Sequence, residues 1–270
     1  MQRSGSLYTL GFAGAVCVVC AVLVSSSAYF LRVPQERNKL LDRQRQVLSV
    51  AGLLDSGASL PAGDVQKLFD ESIEKRFVNI DTGEALTPEE FQRQTGLDPR
   101  MYDSREASAN PELSTDAPAG NLARITRLPK YAIVYYVKEG GQISELVLPI
   151  VGKGLWSTMY GFLALDKDTR TVRGITFYDH GETPGLGGEV DNPKWKAQWN
   201  GRVAYDENWN PKITVIKGQA GPPDANPHEV DGLSGATLTS RGVSNLVQFW
   251  LSEDGFKPFL EQFRNQGSAA

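Results

Sequence analysis

The chain has 270 residues, with 28 lysines and arginines against 32 aspartates and glutamates, for a net charge of −4. That length holds a membrane segment plus one or two globular units, and interspersed charges of a slightly acidic sum exclude the basic footprint of a nucleic-acid binder. The two cysteines, Cys17 and Cys20, share one apolar stretch, so the rest of the chain can form neither an internal disulfide nor a cysteine-ligated iron–sulfur cluster.

In chain order, a short tail (1–6) precedes an apolar run over 7–31, with no charge between Arg3 and Arg32. A bilayer span needs about 20 apolar residues, so the run predicts a transmembrane helix, with Tyr8, Tyr29 and Phe30 placed as interfacial anchors. A cleavable signal peptide is the competing reading, with Ser25-Ser26-Ser27-Ala28 as its small-residue region. The run exceeds a usual signal core, which favours an uncleaved anchor. Cys17-Val18-Val19-Cys20 has redox-motif spacing but lies inside this segment, where two small membrane residues are the plainer reading. Arg32, Arg37, Lys39, Arg43 and Arg45 follow the span, and by the positive-inside rule alone they would hold the next domain in the cytoplasm.

Residues 32–122 read as a stalk helix and a packing segment. Leu40, Leu41, Val47, Leu48 and Ala51 recur at helical spacing between Val33 and Ala51. A second helix is expected over Gly63 to Arg76, burying Val65, Leu68, Phe69, Ile73 and Phe77. Asp81 to Asn121 is polar and reads as loops, with a short helix at Pro88 to Thr95. The main domain is expected over 123–264, followed by a tail at 265–270. Tyr131–Lys138 and Ile143–Ile150 flank Glu139-Gly140-Gly141-Gln142, a hairpin signature. Tyr160–Asp166 and Thr171–Asp179 form a second strand pair, and Lys212–Ile216 a fifth strand. Helices are expected at Val243–Leu251 and Gly255–Phe263. Strands followed by helices predict an α+β fold: antiparallel strands with flanking helices behind one N-terminal membrane helix.

Two segments carry chemistry. His180-Gly181-Glu182-Thr183-Pro184-Gly185-Leu186-Gly187 must be an ordered loop, because its proline and glycines break both helix and strand. Glu182 and Thr183 could grip the edge of a flat ring while Leu186 covers a face; a structural turn is an equal reading of the same composition. Asp231-Gly-Leu-Ser-Gly-Ala-Thr237-Leu-Thr239 places one hydroxyl, that of Thr237, among small residues just before a helix. Backbone N–H groups and the helix dipole attract an anion there, which suits a phosphate at Thr237. An ordinary Ser/Thr helix cap is the plainer alternative. Gly232-Leu-Ser-Gly-Ala236 also approaches the nucleophile elbow of serine hydrolases, but the only histidines, His180 and His228, precede Ser234.

The second segment resembles the flavinylation motif D-G-x-[ST]-G-A-T-x-[ST], with every fixed position matched from Asp231 to Thr239. Together with the H-x-E-T-P-G-L-G loop it is similar to the FMN-binding domain family of the Nqr and Rnf electron-transport complexes. The anchor length, Gly154-Leu-Trp-Ser-Thr-Met-Tyr-Gly161 and Gly188-Glu-Val-Asp-Asn-Pro-Lys-Trp195 resemble the Nqr branch more than the Rnf branch of that family. The resemblance implies FMN joined through its phosphate to Thr237 by a flavin transferase. It also implies cofactor contacts at Ser234, Gly235, Ala236, Leu238 and Thr239, and at Glu182, Thr183, Gly185, Leu186 and Gly187. Lys153 is a candidate near the flavin phosphate or N1 region, or else a solvated lysine; Trp156 is read first as core and second as a stacking partner. His180 is expected to support its loop by a hydrogen bond.

By the same resemblance the chain is a single-pass subunit of a bacterial inner-membrane NADH:ubiquinone reductase that moves sodium ions. Its partners would be five other subunits and the lipid membrane, with its flavin a relay and its globular part periplasmic, against the local Lys/Arg count. Other readings are an Rnf G-type electron-transport protein, a stand-alone membrane-anchored flavoprotein, and a non-redox scaffold in which Thr237 is a simple cap. The sequence itself shows no metal or sodium site and no dinucleotide fingerprint; Gly152-Lys153-Gly154 lacks the final glycine.

Overall fold

The structure is a computed structural model that describes residues 5–55 and 60–267. The outermost parts of both expected tails therefore lie outside the described residues. The chain divides into two compact units, Met1–Arg43 and Gln44–Ala270.

The first unit is helical. Helix α1 runs unbroken over Ser6–Val50, so the apolar run and the stalk are one helix, with Pro34 inside it. Its Tyr8–Arg32 portion is long and apolar enough to cross a membrane, and none of it is buried. Tyr8, Tyr29 and Phe30 are exposed. Cys17 and Cys20 are free thiols on this helix, with no strand-to-helix turn around them.

The second unit starts with the last turns of α1. Val47 and Leu48 are fully buried there, and Thr176 Oγ1 donates to Gln46 Oε1 at 2.8 Å. The helix ends in a Schellman cap. Leu53 N–H donates to Leu48 O at 2.9 Å, and Gly52 N–H to Ser49 O at 3.1 Å. Helix α2 (Ala62–Ser72) buries Val65 and Phe69. It is shorter than its sequence pattern: Ile73–Asn79 is strand β1 rather than a continuation of the helix. Strand β2 is Ala85–Leu86. Helix α3 (Pro88–Thr95) lies where expected, with a capping box between Thr87 and Glu90. The remaining polar stretch is more structured than loops, holding α4 (Ser104–Ala109) and β3 (Ser114–Asp116) before β4 (Arg127–Pro129).

Four long strands follow: β5 (Tyr131–Glu139), β6 (Gln142–Lys153), β7 (Thr158–Asp166) and β8 (Val172–Asp179). A 3-10 turn over Gly187–Asp191 leads to α5 (Pro193–Ala197). The two-residue strands β9 (Thr214–Val215) and β10 (Glu229–Val230) pair in parallel. Helices α6 (Thr237–Trp250) and α7 (Lys257–Gly267) complete the described chain, α7 taking in the start of the expected C-terminal tail.

The main sheet is antiparallel, in the order β2-β1-β5-β6-β7-β8. It takes β1 from the stretch read as a packing segment. Alternating residues of β5 feed two cores. Ile133, Tyr135 and Val137 pack with Val47, Leu48, Val65, Phe69 and Phe91 on one face. Val134 and Tyr136 pack on the other with Val243, Leu246, Val247 and Trp250 of α6 and Phe259 of α7. The sheet is thus covered by helices on both faces. Its second layer sets the start of α6 beside the β6–β7 connection.

Candidate functional site

The site is built around the first turn of α6. Ala236 stands at the N-cap with φ −126° and no side-chain bond to the helix. The first α-helical bond runs from Ser240 N–H to Ala236 O at 2.9 Å, so the amides of Thr237, Leu238 and Thr239 precede the intrahelical ladder. Three hydroxyls occupy this turn. Thr239 is 1% exposed and donates to Glu182 Oε2 at 2.7 Å. Ser240 is buried and its Oγ accepts from Leu233 N–H at 3.1 Å. Thr237 is exposed, and its hydroxyl forms no hydrogen bond among the described residues. The reading of Thr237 as a simple cap fails here: it is the first helical residue, and the capping position belongs to an alanine.

The motif's other residues hold the turn. Asp231 accepts from Ala220 N–H at 2.7 Å and from Gln198 Nε2 at 3.0 Å, and its carbonyl accepts from Trp195 Nε1 at 2.8 Å. Gly235 has φ +70°, a left-handed conformation that favours glycine, and an added Cβ there would meet Leu186 Cδ2 at 2.9 Å. The motif and the 180–187 loop are therefore in direct contact.

Glu182 joins the same segments from below. It is 5% exposed. Its Oε1 accepts from the backbone N–H of Trp156 at 3.0 Å and of Ser157 at 3.1 Å, and its Oε2 from Leu155 N–H at 3.2 Å as well as from Thr239. Burial pushes the carboxyl up, but the hydrogen bonds from Thr239 and the three amides outweigh it and hold the group below the ordinary carboxylate range. Both oxygens are engaged by protein donors, so the visible work of Glu182 is to staple loop to helix rather than to grip a ring itself. Gly187 closes this contact: a Cβ there would lie 2.6 Å from Thr239 Oγ1. His180 supports the loop, as expected. Its Nδ1 accepts from Glu182 N–H at 3.2 Å, which leaves Nε2 to donate to Asp191 at 2.9 Å. Thr183 and Gly185 are not held this way. The Thr183 carbonyl accepts from Leu186 N–H at 3.1 Å and Gly188 N–H at 2.9 Å, and Gly185 is exposed.

Trp156 departs from its first reading. It is 71% exposed, not core, because the turn between β6 and β7 is held by its backbone on Glu182 and points the indole outward. Leu155, Leu186 and Leu238 are also exposed. These exposed apolar side chains sit on the three segments that Glu182 and Thr239 join, namely 155–157, 180–187 and the first turn of α6. Lys153 is exposed and its Nζ donates to Thr158 Oγ1 at 2.6 Å.

Beside Thr237 lies a cleft of about 780 Å³, walled by 214–219, 231–235 and the α6 residues Ser240, Arg241, Ser244, Asn245 and Gln248. Lys217 and Arg241 line it, and neither was singled out from the sequence. Arg241 carried a readable signal, four residues after Thr237 on one helix face. Lys217 carried none, since it reaches the site through the pairing of β9 with β10, continued by Ile216 N–H to Val230 O at 2.9 Å and Gly232 N–H to Gly218 O at 2.9 Å.

An exposed, unbonded hydroxyl, open helix amides and adjacent apolar side chains fit a flavin mononucleotide tethered by its phosphate. Among the described residues no cluster of three or more His, Cys, Asp or Glu is arranged to hold a metal.

Residues 154–252 match the FMN-binding domain family. The chain is 47% identical over 251 residues to the C subunit of the Na(+)-translocating NADH-quinone reductase of Yersinia pestis, covering 92% of this chain and 90% of that one. It is 47% identical over 265 residues to the corresponding protein of Pseudomonas aeruginosa, covering 97% and 98%. The crystal structure of Shewanella oneidensis NqrC superposes with a TM-score of 0.74 at 33% identity, over 86% of this chain and 99% of that one. With its membrane-length helix, its antiparallel domain and this agreement over nearly its whole length, the chain belongs to the NqrC family, the C subunits of Na(+)-translocating NADH-quinone reductases.

Proposed function

We propose that this chain is the flavin-carrying C subunit of a sodium-translocating NADH:quinone reductase, with FMN esterified through its phosphate to Thr237. The observation that carries the reading is the Thr237 hydroxyl: exposed, free of hydrogen bonds among the described residues, and set on the first turn of a helix whose cap uses no side chain. A phosphodiester there gains the N–H groups and the positive end of the helix dipole.

Bound FMN supplies the redox chemistry, relaying electrons from NADH oxidation toward quinone. The chain's own residues do the positioning. Asp231 and Gly235 fix the turn, and Glu182 locks the 155–157 and 180–187 segments onto α6. Leu186, Leu238 and Trp156 offer apolar surface to the ring. A covalent tether removes the need for tight enclosure, which accords with an exposed site from which electrons can pass to partner subunits. The flavin transferase acts during maturation, and α1 anchors the subunit in the bacterial inner membrane with the globular unit in the periplasm. Protease added to spheroplasts tests that side: digestion of the globular unit supports it, and protection reverses it.

The attachment is tested by expressing the chain with a flavin transferase and viewing a denaturing gel under ultraviolet light. Wild type is expected to fluoresce and Thr237→Val to be dark. A fluorescent Thr237→Val band contradicts the assignment.

A further inference from the structure

We propose that Arg241 is the counter-cation of the phosphodiester at Thr237, fixing the phosphate on the cleft side of α6. The inference rests on the attachment at Thr237 and adds a phosphate-positioning residue to it.

Thr237 and Arg241 are four residues apart on α6, and both line the same cleft. Side chains at that spacing lie one above the other, with Cβ atoms about 5–6 Å apart, well within the reach of an arginine. Arg241 is exposed, and among the described residues its guanidinium forms no hydrogen bond, ion pair or ring contact. Lys217 also lines the cleft, from the 214–219 segment and not from the helix that carries Thr237, whereas Arg124 and Lys153 are committed elsewhere. Arg124 donates to Gly154 O at 3.0 Å and to Lys153 O at 3.2 Å. The Lys153 ammonium is bonded to Thr158. Arg241 is thus a cation with no protein partner among the described residues, one turn from the one hydroxyl of its helix turn that also has none.

A guanidinium matches a phosphate through paired N–H donors, which a lysine cannot reproduce. A phosphodiester on Thr237 keeps one negative charge and two free oxygens. The helix amides approach it from the α6 axis, and Arg241 from the cleft. That arrangement holds the phosphate at the wall of the cleft that Thr237 and Arg241 share. Because the pair is exposed, it is screened by salt.

The test uses the full-length flavinylated chain in detergent, as wild type, Arg241→Gln and Arg241→Lys. The readouts are the phosphorus-31 resonance of the phosphodiester and the fluorescence anisotropy of the attached flavin, each followed from low to high salt. Wild type is expected to show a salt-dependent phosphorus shift and a fall in anisotropy as the pair is screened. Arg241→Gln should sit at the wild-type high-salt position from the start, with loss of the salt dependence. Arg241→Lys should fall between the two, and thermal midpoints should agree among all three. Identical phosphorus positions and anisotropy in wild type and Arg241→Gln would overturn the proposal while leaving the attachment intact. A wild-type protein that carries flavin without a phosphodiester resonance would overturn the attachment itself, and this proposal with it.

Discussion

Thr239 Oγ1 donates to Glu182 Oε2 at 2.7 Å across 57 residues of chain, and both side chains are buried. This single bond ties the first turn of α6 to the loop that carries Leu186. It divides the two threonines of the motif into different roles, Thr239 structural and Thr237 free.

Glu182→Gln is expected to destabilise the domain by about 1–3 kcal/mol, because an amide presents a donor where the site supplies only donors. The effect depends on pH. The folded carboxyl lies below its ordinary value, so its contribution is fully present above the unfolded value of about 4.3 and is lost as pH falls through the folded value. Thermal melts of wild type and variant should differ at pH 7 and converge in acid. A difference that persists unchanged in strong acid would assign the loss to packing instead of the charge.

Thr239→Val should cost about 1–3 kcal/mol, since Glu182 loses a buried donor, whereas the exposed Thr237→Val should stay within about 0.5 kcal/mol of wild type. The flavin readout should reverse the order. Thr239→Val is expected to retain some covalent flavin and Thr237→Val none. Denaturant melts and in-gel fluorescence on the same preparations check both halves.

Leu186→Ala should alter the flavin spectrum or midpoint potential without blocking attachment. Leu186 is 43% exposed and rests on Gly235, so truncation removes surface from the site more than from the core. A change confined to thermal stability, with spectrum and potential unaltered, would return the 180–187 loop to a purely structural role.

Much of this architecture was legible in the chain. The Glu139-Gly140-Gly141-Gln142 turn announced the β5–β6 hairpin, the uncharged run announced the membrane-length helix, and the Asp231–Thr239 motif announced the family. Strand β1 was not legible for a definite reason. Val65, Phe69, Ile73 and Phe77 recur every four residues, so the stripe of α2 continues without a break into the strand. Only pairing with β5, from Ile73 opposite Val137 to Asn79 opposite Tyr131, ends the helix at Ser72. Tertiary pairing overrides local periodicity there. Trp156 misled in the opposite sense: tryptophan composition suggests core, but backbone bonds to a distant carboxylate turn it out. No local pattern could have joined Glu182 to Thr239 and to the 155–157 amides, because that junction exists only once the sheet has folded. The polar 81–121 stretch hid α4 and β3 because its structure is held by side-chain caps such as Asp103, whose Oδ1 accepts from Arg105 N–H at 2.7 Å, and not by an apolar stripe.

Glu145 supplies a second pH dependence of opposite sign. Burial pushes its carboxyl up to about 7, against the downward pull of Arg173, and Asp166 and Glu139 add to the rise. Its Oε2 is buried without a hydrogen-bond partner among the described residues. A raised folded value means that the fold favours the protonated acid, so stability declines as pH rises from about 4.3 through about 7. Glu145→Gln should match wild type in acid and exceed it by about 1–3 kcal/mol at pH 8. Wild type and variant of equal stability at pH 8 would count against it.

The central claim, flavin on Thr237 and nowhere else, is tested most directly by peptide mapping with fragmentation after co-expression with a flavin transferase. The expected result is one modified peptide, spanning the Asp231–Thr239 motif, whose mass exceeds the unmodified one by an FMN less one water, with the fragment ions placing the increment on Thr237. An unmodified Thr237 in a yellow protein, or the increment on Ser234 or Thr239, would contradict the account.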